Sequence, residues 1–317
     1  MDRETSILVT GGTGFFGTAL CDKLTELGYT NLTAVGSCVY DLEIQSATYR
    51  MLLETKPDIV FHLAAMSGGI GVNRSAPADF WYTNSIMGLN IIHACAIAEI
   101  SKLIIVGTTC SYPKFCQVPF KEDRIWDGFP EETNAPYGIA KKNLMIGAKA
   151  YEDQYHMNII CPVFTNLYGP RDNFDLESSH VIPAMIRKMH EAKITYSNKV
   201  VLWGDGSPSR DLLHIEDAAC ALIECAKNNK LTSEPINFGS GMEIQMTRLA
   251  DIVKNVVGYE GEIHWDLSKP NGQPRRVLDI SKAKELLGWE PKKDLISSLE
   301  DLYKWFVRTY NGSDEDY

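Results

Sequence analysis

The sequence predicts an α/β fold with a doubly wound parallel sheet and a smaller, interwoven C-terminal lobe. Short apolar strands alternate with helical patterns through about residue 165, as in a parallel sheet covered by helices on both faces. Beyond that point the elements become shorter and turn-rich segments separate them. We therefore expect a first domain at 1–165, to which about 211–240 return, and a second lobe formed mainly by 166–317.

The first element is the apolar strand Ile7–Thr10, which runs directly into a glycine-rich turn at 11–17. Apolar residues then recur at helical spacing until Gly28, which is placed to end the helix. This order is typical of a Rossmann dinucleotide site, because glycines let the backbone approach a pyrophosphate and the helix N-terminus attracts it. A glycine turn without a ligand is the alternative. The expected cofactor contacts are Gly11, Thr13, Gly14, Phe15, Phe16 and Gly17.

The second strand, 31–35, ends in Gly36-Ser37-Cys38. A site that prefers NAD usually places Asp or Glu here to bind the ribose diol. The absence of that acid favours NADP(H), although the segment has no arginine for the 2′-phosphate and Ser37 is a weak substitute. Asp41 and Leu42 are candidates for contact with the adenine edge, or they simply begin a helix.

The third strand, 59–65, leads into small residues and glycines at 66–71, which allow a ligand to approach closely. His62 lies inside this strand, and we expect a core histidine rather than a catalytic one. A long amphipathic helix at 79–100 then precedes the fourth strand. The expected cofactor contacts of the third strand are Leu63, Ala64 and Ala65.

The fourth strand ends at Val106 and carries Thr108 to the edge where parallel sheets bind ligands. Downstream, Tyr137 and Lys141 lie one helical turn apart on one face. A lysine beside a phenol lowers the pKa of the phenol, which suits Tyr137 to proton exchange with a carbonyl oxygen that Thr108 also contacts. A solvated helix face is the common alternative for this spacing. With the dinucleotide turn upstream, the three residues predict hydride transfer between a nicotinamide and a carbonyl or alcohol.

Cys110 and His180 add an acid–base function that a simple reductase does not need. A thiol and an imidazole can exchange protons with the carbons next to a ketone. If strand geometry continues past Val106, Cys110 lies on the same side as Thr108. The alternatives are that Cys110 is a small packed residue and that His180 only begins a helix.

The composition and charge argue against a role in binding nucleic acid or a membrane surface. The 317 residues carry a formal net charge of −10, with a sequence pI near 5.2 and no basic cluster suited to nucleic acid or a membrane surface. No targeting or membrane-spanning segment is expected. The eight cysteines show neither CxxC spacing nor a disulfide framework, so we expect no metal site and a reducing cytoplasm. The polar, acidic end at 311–317 predicts disorder.

Further motifs occur along the chain, and they are His62-Leu63-Ala64-Ala65, Cys110-Ser111-Tyr112-Pro113-Lys114, Pro136-Tyr137-Gly138-Ile139-Ala140-Lys141, Asn166-Leu167-Tyr168-Gly169-Pro170, Ser179-His180-Val181-Ile182-Pro183-Ala184 and Lys269-Pro270. With them the sequence resembles the extended short-chain dehydrogenases/reductases over nearly its whole length. Within that superfamily it resembles the GDP-L-fucose synthases, which are GDP-4-keto-6-deoxy-D-mannose 3,5-epimerase/4-reductases. The segments with Cys110 and His180 are the most diagnostic, since relatives that only oxidise or reduce a sugar usually lack that pair.

The resemblance implies a reductase triad of Thr108, Tyr137 and Lys141, with NADP(H) as cofactor and a GDP-sugar as substrate. It also implies that Cys110 is the base and His180 the acid that epimerise carbons 3 and 5 through enolates, whose oxygen Tyr137 and Thr108 would stabilise. Arg210 would bind the diphosphate as a bidentate donor. The residues matched to substrate contacts are Asn166, Thr109, Lys188, Trp203, Arg210 and Lys269, and those matched to further cofactor contacts are Tyr137, Lys141, Asn166 and His180.

Departures from the family leave the exact substrate open. The cofactor turn reads Gly-Gly-Thr-Gly where bacterial members commonly carry an arginine, and Ser67, Thr109 and Ser111 occupy variable pocket positions. The expected product is GDP-L-fucose. The alternatives are C4 reduction of another GDP-4-keto sugar, such as a GDP-heptose or GDP-colitose precursor, and a non-catalytic NADP-binding module. The family also implies a homodimer formed through the helices near 80–100 and 137–156.

Overall fold

The computed structural model describes residues 1–310, so the disorder predicted at 311–317 lies outside the described residues. The strands of this part are β1 (Ile7–Thr10), β2 (Leu32–Val35), β3 (Ile59–His62), β4 (Lys102–Ile105), β5 (Gly107–Thr108), β6 (Ile159–Ile160), β7 (Pro162–Phe164), β8 (Asn166–Tyr168), β9 (Lys199–Trp203), β10 (Ser209–Arg210), β11 (Leu212–His214), β12 (Ile236–Phe238), β13 (Ile244–Gln245), β14 (Glu262–Asp266) and β15 (Arg275–Arg276). The α-helices are α1 (Phe15–Glu26), α2 (Gln45–Thr55), α3 (Ile70–Ser75), α4 (Pro77–Ile97), α5 (Ala135–Tyr155), α6 (Val181–Ile194), α7 (Ile215–Lys227), α8 (Met246–Val257), α9 (Ser281–Leu287) and α10 (Leu295–Tyr310).

The main sheet is parallel, with strand order β2–β1–β3–β4–β6. Its strands are apolar on both faces because helices cover both: Leu8 and Val60 belong to one core cluster, whereas Val9 and Phe61 belong to the other. The predicted doubly wound Rossmann fold is confirmed. From β1 the chain first goes to β2 on one side and then crosses to β3 on the other side, so the strand order reverses at β1. The crevice at such a reversal is where open α/β sheets bind ligands.

The sheet continues beyond β4 and β6 after short interruptions at Val106 and Cys161. There β5 pairs with β7 and β7 with β12, while β8 pairs with β11, all in parallel. Strands from the second half of the chain therefore extend the sheet built by the first half. This interweaving brings 166–214 to the carboxyl end of the sheet.

A separate hydrophobic core forms beyond the sheet from residues that follow Phe164. It is built mainly by α6, α8 and α10, with Ile186, Leu249 and Leu302 fully buried. Two small sheets flank it, β13–β10–β15 and β14–β9. These elements form the second wall of the cavity described below.

Several boundaries differ from the expected ones for local reasons. The helix expected at 79–100 begins at Pro77, because proline suits the first helical turn, and it ends at Ile97, since Glu99 adopts a positive φ of 52°. The strand expected at 59–65 ends at His62, whose Nδ1 lies 2.9 Å from the Thr10 hydroxyl. Burial lowers the pKa of His62 to about 3, so it is a neutral core histidine, as expected.

Among residues 1–310, none of the helices is both long and apolar enough to span a bilayer.

Candidate active site

A cavity of about 490 Å³ lies at the carboxyl ends of β1, β3 and β5 and extends to β10 and β15. It brings together residues that are far apart in the sequence. The sequence-predicted residues that line it are Gly11, Gly14, Phe15, Phe16, Gly17, Leu63, Ala64, Ala65, Thr108, Cys110, Tyr137, Lys141, Asn166, His180, Lys188, Trp203 and Arg210.

The glycine turn after β1 leaves no room for a side chain at Gly11 or Gly17. Gly11 has a φ of +68°, and a Cβ there would lie 2.7 Å from the Ala64 nitrogen; a Cβ at Gly17 would lie 2.0 Å from the Gly11 carbonyl oxygen. Gly14 precedes α1 without a side-chain cap, so the first amides of the helix face the cavity unpaired by side chains. This cradle fits a dinucleotide pyrophosphate.

Four predicted cofactor residues lie outside the cavity lining. Thr13 packs beside Gly36, and Ser37 and Asp41 are exposed. Leu42 is different, since its side chain is buried in the hydrophobic core. The predicted contact of Leu42 with the cofactor therefore stays a prediction, and its side chain packs in the core.

The segment after β5 turns at once into a short 3₁₀ helix, Thr109–Ser111. The Thr108 hydroxyl oxygen accepts a hydrogen bond from the Cys110 amide at 3.2 Å and caps this turn. The expected continuation of strand geometry to Cys110 is wrong, although both side chains still reach the cavity. Because the Thr108 oxygen acts as an acceptor, its hydrogen remains available to a ligand oxygen. Thr109 is buried and lies outside the cavity lining, so its substrate contact stays a prediction.

Helix α5 docks directly on this turn through Gly138. A Cβ at Gly138 would lie 2.1 Å from the Cys110 carbonyl oxygen, so a larger residue would push the helix away. The Ser111 hydroxyl donates to the Gly138 carbonyl oxygen at 3.1 Å. The glycine inside the Tyr-x-x-x-Lys motif thus sets Tyr137 next to Cys110.

Burial dominates the electrostatics of α5. Lys141 is buried, and desolvation lowers its pKa to about 8, so it is mostly charged at neutral pH. Burial also raises the pKa of Tyr137, and the neighbouring Cys110 thiolate acts in the same direction. This direction is opposite to the lowering expected from Lys141, because desolvation of the phenolate dominates. The Phe80 ring packs edge-on against Tyr137, with ring centroids 6.2 Å apart.

His180 caps α6 at the cavity edge and is backed by a carboxylate. Its Nδ1 lies 3.8 Å from Asp172 Oδ1, which also accepts the Asn173 amide at 2.7 Å. Asp172 is buried, and its other oxygen, Oδ2, has no hydrogen-bond partner in the described part of the chain. A second cavity of about 510 Å³ adjoins the first and is also lined by Asp172 and His180.

The far wall of the main cavity is cationic. Arg210 is buried and donates to the Ser209 and Gln273 carbonyl oxygens, both at 2.7 Å. Burial lowers its pKa to about 9, which leaves the guanidinium charged at neutral pH. Lys188 also lines this wall, whereas Lys269 lies outside the lining, with its ammonium 5.1 Å from the centre of the Trp203 ring.

Sequence reasoning missed two lining residues with strong local contacts. Arg276 Nη1 donates to Cys110 Sγ at 3.5 Å, and the signal was an arginine pair after the turn at 272–274. Asn134 is buried ahead of Tyr137 and donates to Glu131 Oε2 at 3.2 Å. No distinctive pattern pointed to Asn134, since an Asn before a helix usually acts as a cap.

No group of three or more His, Cys, Asp or Glu side chains in residues 1–310 could hold a metal ion. All eight cysteines are free thiols.

The chain is similar to known proteins over nearly its full length. Residues 7–239 match the NAD dependent epimerase/dehydratase family. GDP-L-fucose synthase 1 of Arabidopsis thaliana is 40% identical, with 97% of this chain and 94% of the relative covered. GDP-L-fucose synthase of Sinorhizobium fredii is 42% identical, with 95% of each chain covered.

A solved structure shows the same likeness in three dimensions. GDP-mannoheptose C4 reductase from Campylobacter jejuni, with NADP bound, superposes with a TM-score of 0.87 at 30% identity, covering 97% of this chain and 99% of that one. The two chains therefore share their overall fold. The chain belongs to the NAD dependent epimerase/dehydratase family and, within it, to the group that contains the GDP-L-fucose synthases.

Proposed function

We propose that the protein converts GDP-4-keto-6-deoxy-D-mannose to GDP-L-fucose by 3,5-epimerisation and NADPH-dependent reduction at carbon 4. The observation that carries this proposal is the placement of Cys110 and His180 in one cavity with Thr108, Tyr137 and Lys141. The naming of the relatives as GDP-L-fucose synthases supports the substrate class.

In the reductive half, Tyr137 donates the proton that the carbon-4 oxygen needs. Bound NADPH supplies the hydride. Thr108 donates a hydrogen bond to the same oxygen and stabilises its developing charge. The Lys141 ammonium provides positive charge beside the tyrosinate that remains, and its burial strengthens that interaction.

In the epimerising half, the Cys110 thiolate removes a proton from the carbon next to the keto group. The electron pair of that C–H bond shifts toward the carbonyl oxygen and gives an enolate, which Tyr137 and Thr108 stabilise by hydrogen bonds. His180 then delivers a proton to the opposite face, so the configuration of the carbon inverts. The cationic wall with Arg210 and Lys188 binds the diphosphate of the nucleotide.

A second candidate function is C4 reduction of another GDP-4-keto sugar with little or no epimerisation. The observation that favours it is the likeness to the GDP-mannoheptose C4 reductase structure. Both functions use Thr108, Tyr137 and Lys141, and they differ in their need for Cys110 and His180.

The decisive experiment incubates the protein with GDP-4-keto-6-deoxymannose in deuterated water, first without and then with NADPH, and identifies the products by NMR. We expect deuterium at carbons 3 and 5 and then GDP-L-fucose. Cys110→Ser should lower the exchange by about 10²–10⁴-fold, as expected for loss of a general base, while NADPH still binds. The matched control is Cys116→Ser, because Cys116 is a free thiol outside the cavity lining. Reduced sugar without deuterium at either carbon would identify the second candidate function.

We further infer a preference for NADPH over NADH, since the segment after β2 has no acidic residue for the ribose diol. The bound NADP in the Campylobacter jejuni relative supports this preference. The ratio of kcat/KM with NADPH to kcat/KM with NADH tests this preference, and a ratio below one would overturn it.

We also take 1–165 with about 211–240 as the cofactor domain and the remainder as the lobe that holds the sugar.

We infer a homodimer in the cytoplasm, with α4 and α5 at the interface. Apolar side chains on these helices are exposed, among them Trp81, Leu89, Ile97 and Ile146. The free cysteines suit a reducing compartment. Light scattering after size-exclusion chromatography should give twice the mass of 35.4 kDa, and Leu89→Glu should shift the protein toward the monomer.

A further inference from the structure

We propose that Arg276 is a positioning residue that stabilises the thiolate form of Cys110 and so prepares it to accept a proton from the sugar. This inference deepens the proposed function and rests on it. It concerns a side chain from β15 acting on a side chain 166 positions earlier in the chain.

The contact is direct and partly buried. Arg276 Nη1 donates to Cys110 Sγ at 3.5 Å, within the range of hydrogen bonds to sulfur. Arg276 is only 7% exposed, and both residues line the same cavity. In such a partly buried setting, a guanidinium beside a sulfur favours the anion over the neutral thiol, because water screens the two charges less than it does at the surface.

Arg276 is held in place by a polar framework that also reaches the Cys110 segment. Its Nε donates to Gln273 Oε1 at 3.1 Å. Gln273 Nε2 donates in turn to the carbonyl oxygens of Pro113 and Lys114, at 3.0 and 3.1 Å, just beyond Cys110. The same glutamine therefore orients the guanidinium and ties its loop to the thiol's loop.

Arg276 differs from its neighbour Arg275 in its ion pairs. Arg275 is exposed and forms an ion pair with Glu243 at 2.6 Å. Arg276 forms no ion pair with a carboxylate anywhere in the described 310 residues. A buried guanidinium without a carboxylate is unfavourable unless an anion is nearby, and the thiolate of Cys110 is the anion within its reach.

The other charged and titratable groups near Cys110 come from three elements. Arg210 of β10 adds positive charge, Tyr137 and Lys141 of α5 line the same cavity, and His180 stands at the start of α6. In the described part of the chain, none of these four groups donates a hydrogen bond to the sulfur, whereas Arg276 does. In the reaction, Cys110 gains the proton that the sugar carbon loses, and Arg276 remains charged throughout.

The test measures Cys110 alkylation by iodoacetamide as a function of pH in the full-length protein. Trypsin releases 103–114, which contains Cys110 and no other cysteine, so mass spectrometry reads this thiol alone. Arg276→Gln should move the midpoint of alkylation up by about one pH unit, equivalent to about tenfold less thiolate at pH 7. Deuterium exchange into the sugar should fall by a similar factor at saturating substrate, and Arg276→Lys should restore part of both.

Arg275→Gln is the matched control, since it removes an adjacent arginine from the same strand that faces Glu243 rather than the cavity. It should leave the pH midpoint of Cys110 alkylation and the rate of deuterium exchange unchanged.

An Arg276→Gln protein that binds NADPH but alkylates and exchanges like the wild type overturns the inference. If Arg276→Gln does not fold, the same comparison is made with Gln273→Leu, which releases the guanidinium from its framework, and wild-type profiles for that variant overturn the inference. Absence of exchange in the wild type, with the alkylation shift present, would instead count against the proposed function alone.

Discussion

The two halves of the candidate site are built in different ways. Thr108, Tyr137 and Lys141 come from β5 and α5, which pack on each other within the first 165 residues. Cys110, His180 and Arg276 come from a 3₁₀ turn, a helix start and a strand of the second lobe. The first set is attached to the main sheet, whereas the second is assembled across the cavity from both of its walls.

Because the two halves are built differently, reduction and proton exchange depend on different kinds of contact. In the proposed mechanism, reduction depends on the buried Lys141 and the half-buried Tyr137, whose positions follow from one helix docked through Gly138. Proton exchange at the sugar depends on contacts that bridge distant segments, such as Arg276 with Cys110. We therefore expect substitutions of the reductive residues to change the chemical step or the stability that depends on burial. Substitutions that break contacts between distant segments should change how the acid–base residues are oriented.

The largest expected effect comes from removing the proton donor of the reductive half. Tyr137→Phe should lower NADPH oxidation by about 10²–10⁴-fold, the range for loss of a general acid, while NADPH binding stays within about twofold. Tyr155→Phe is the control, because Tyr155 lies exposed at the end of the same helix. Stopped-flow absorbance at saturating sugar measures the rate. Retention of the wild-type rate by Tyr137→Phe would exclude it as the proton donor.

Burial of Lys141 predicts a pH-dependent stability. Its usual pKa of 10.5 falls to about 8 in the folded protein, so the folded chain releases this proton first and stability rises between pH 8 and 10.5. The contribution is about 3 kcal/mol across that window, at about 1.36 kcal/mol per pKa unit. Urea unfolding of the ligand-free protein should show Lys141→Met more stable than the wild type at pH 7, and the gap should close as the pH approaches 10.5.

Lys149→Met is the control for that titration, because Lys149 is exposed on α5 and pairs with Asp153. Its difference from the wild type should stay nearly constant between about pH 8 and 10. A constant difference for Lys141→Met as well would show that Lys141 keeps its usual protonation in the folded state.

The reductive half could be predicted from sequence because its signals are local. The glycine turn follows a strand and precedes a helix, and Tyr137 and Lys141 are one helical turn apart. The alternation of strands and helices likewise predicted the parallel sheet, since period and length identify such elements. The missed features are those that depend on tertiary packing, such as the burial that raises the pKa of Tyr137.

The other half shows where local reasoning ends. Cys110 and His180 were candidates from their chemistry, and the family resemblance gave them their roles. The arginine pair at 275–276 was visible in the sequence, but the contact of Arg276 with the sulfur was not, because 166 positions separate them. Leu42 was assigned to the cofactor from its position in the chain and Thr109 to the substrate from the resemblance, and both side chains pack inward. Whether a side chain faces a cavity or the core is decided by the neighbouring elements, which sequence spacing alone does not specify.

The smallest expected effect concerns Asp172, which backs His180 at 3.8 Å. Asp172→Asn keeps the size of the side chain and removes its charge, so the protonated imidazole is less stabilised and deuterium exchange should slow by about threefold to tenfold. Because Asp172 Oδ2 is buried without a described partner, the same change should leave the urea midpoint equal to or above that of the wild type.

Slower exchange together with unchanged NADPH oxidation on a substrate that needs no epimerisation would separate orientation of His180 from a general loss of folding. Asp251→Asn, at an exposed position of α8, controls for the loss of one negative charge. Equal exchange rates in Asp172→Asn and the wild type would show that His180 acts without its carboxylate, and the acid–base half would then depend on Cys110 and Arg276 for its polar support.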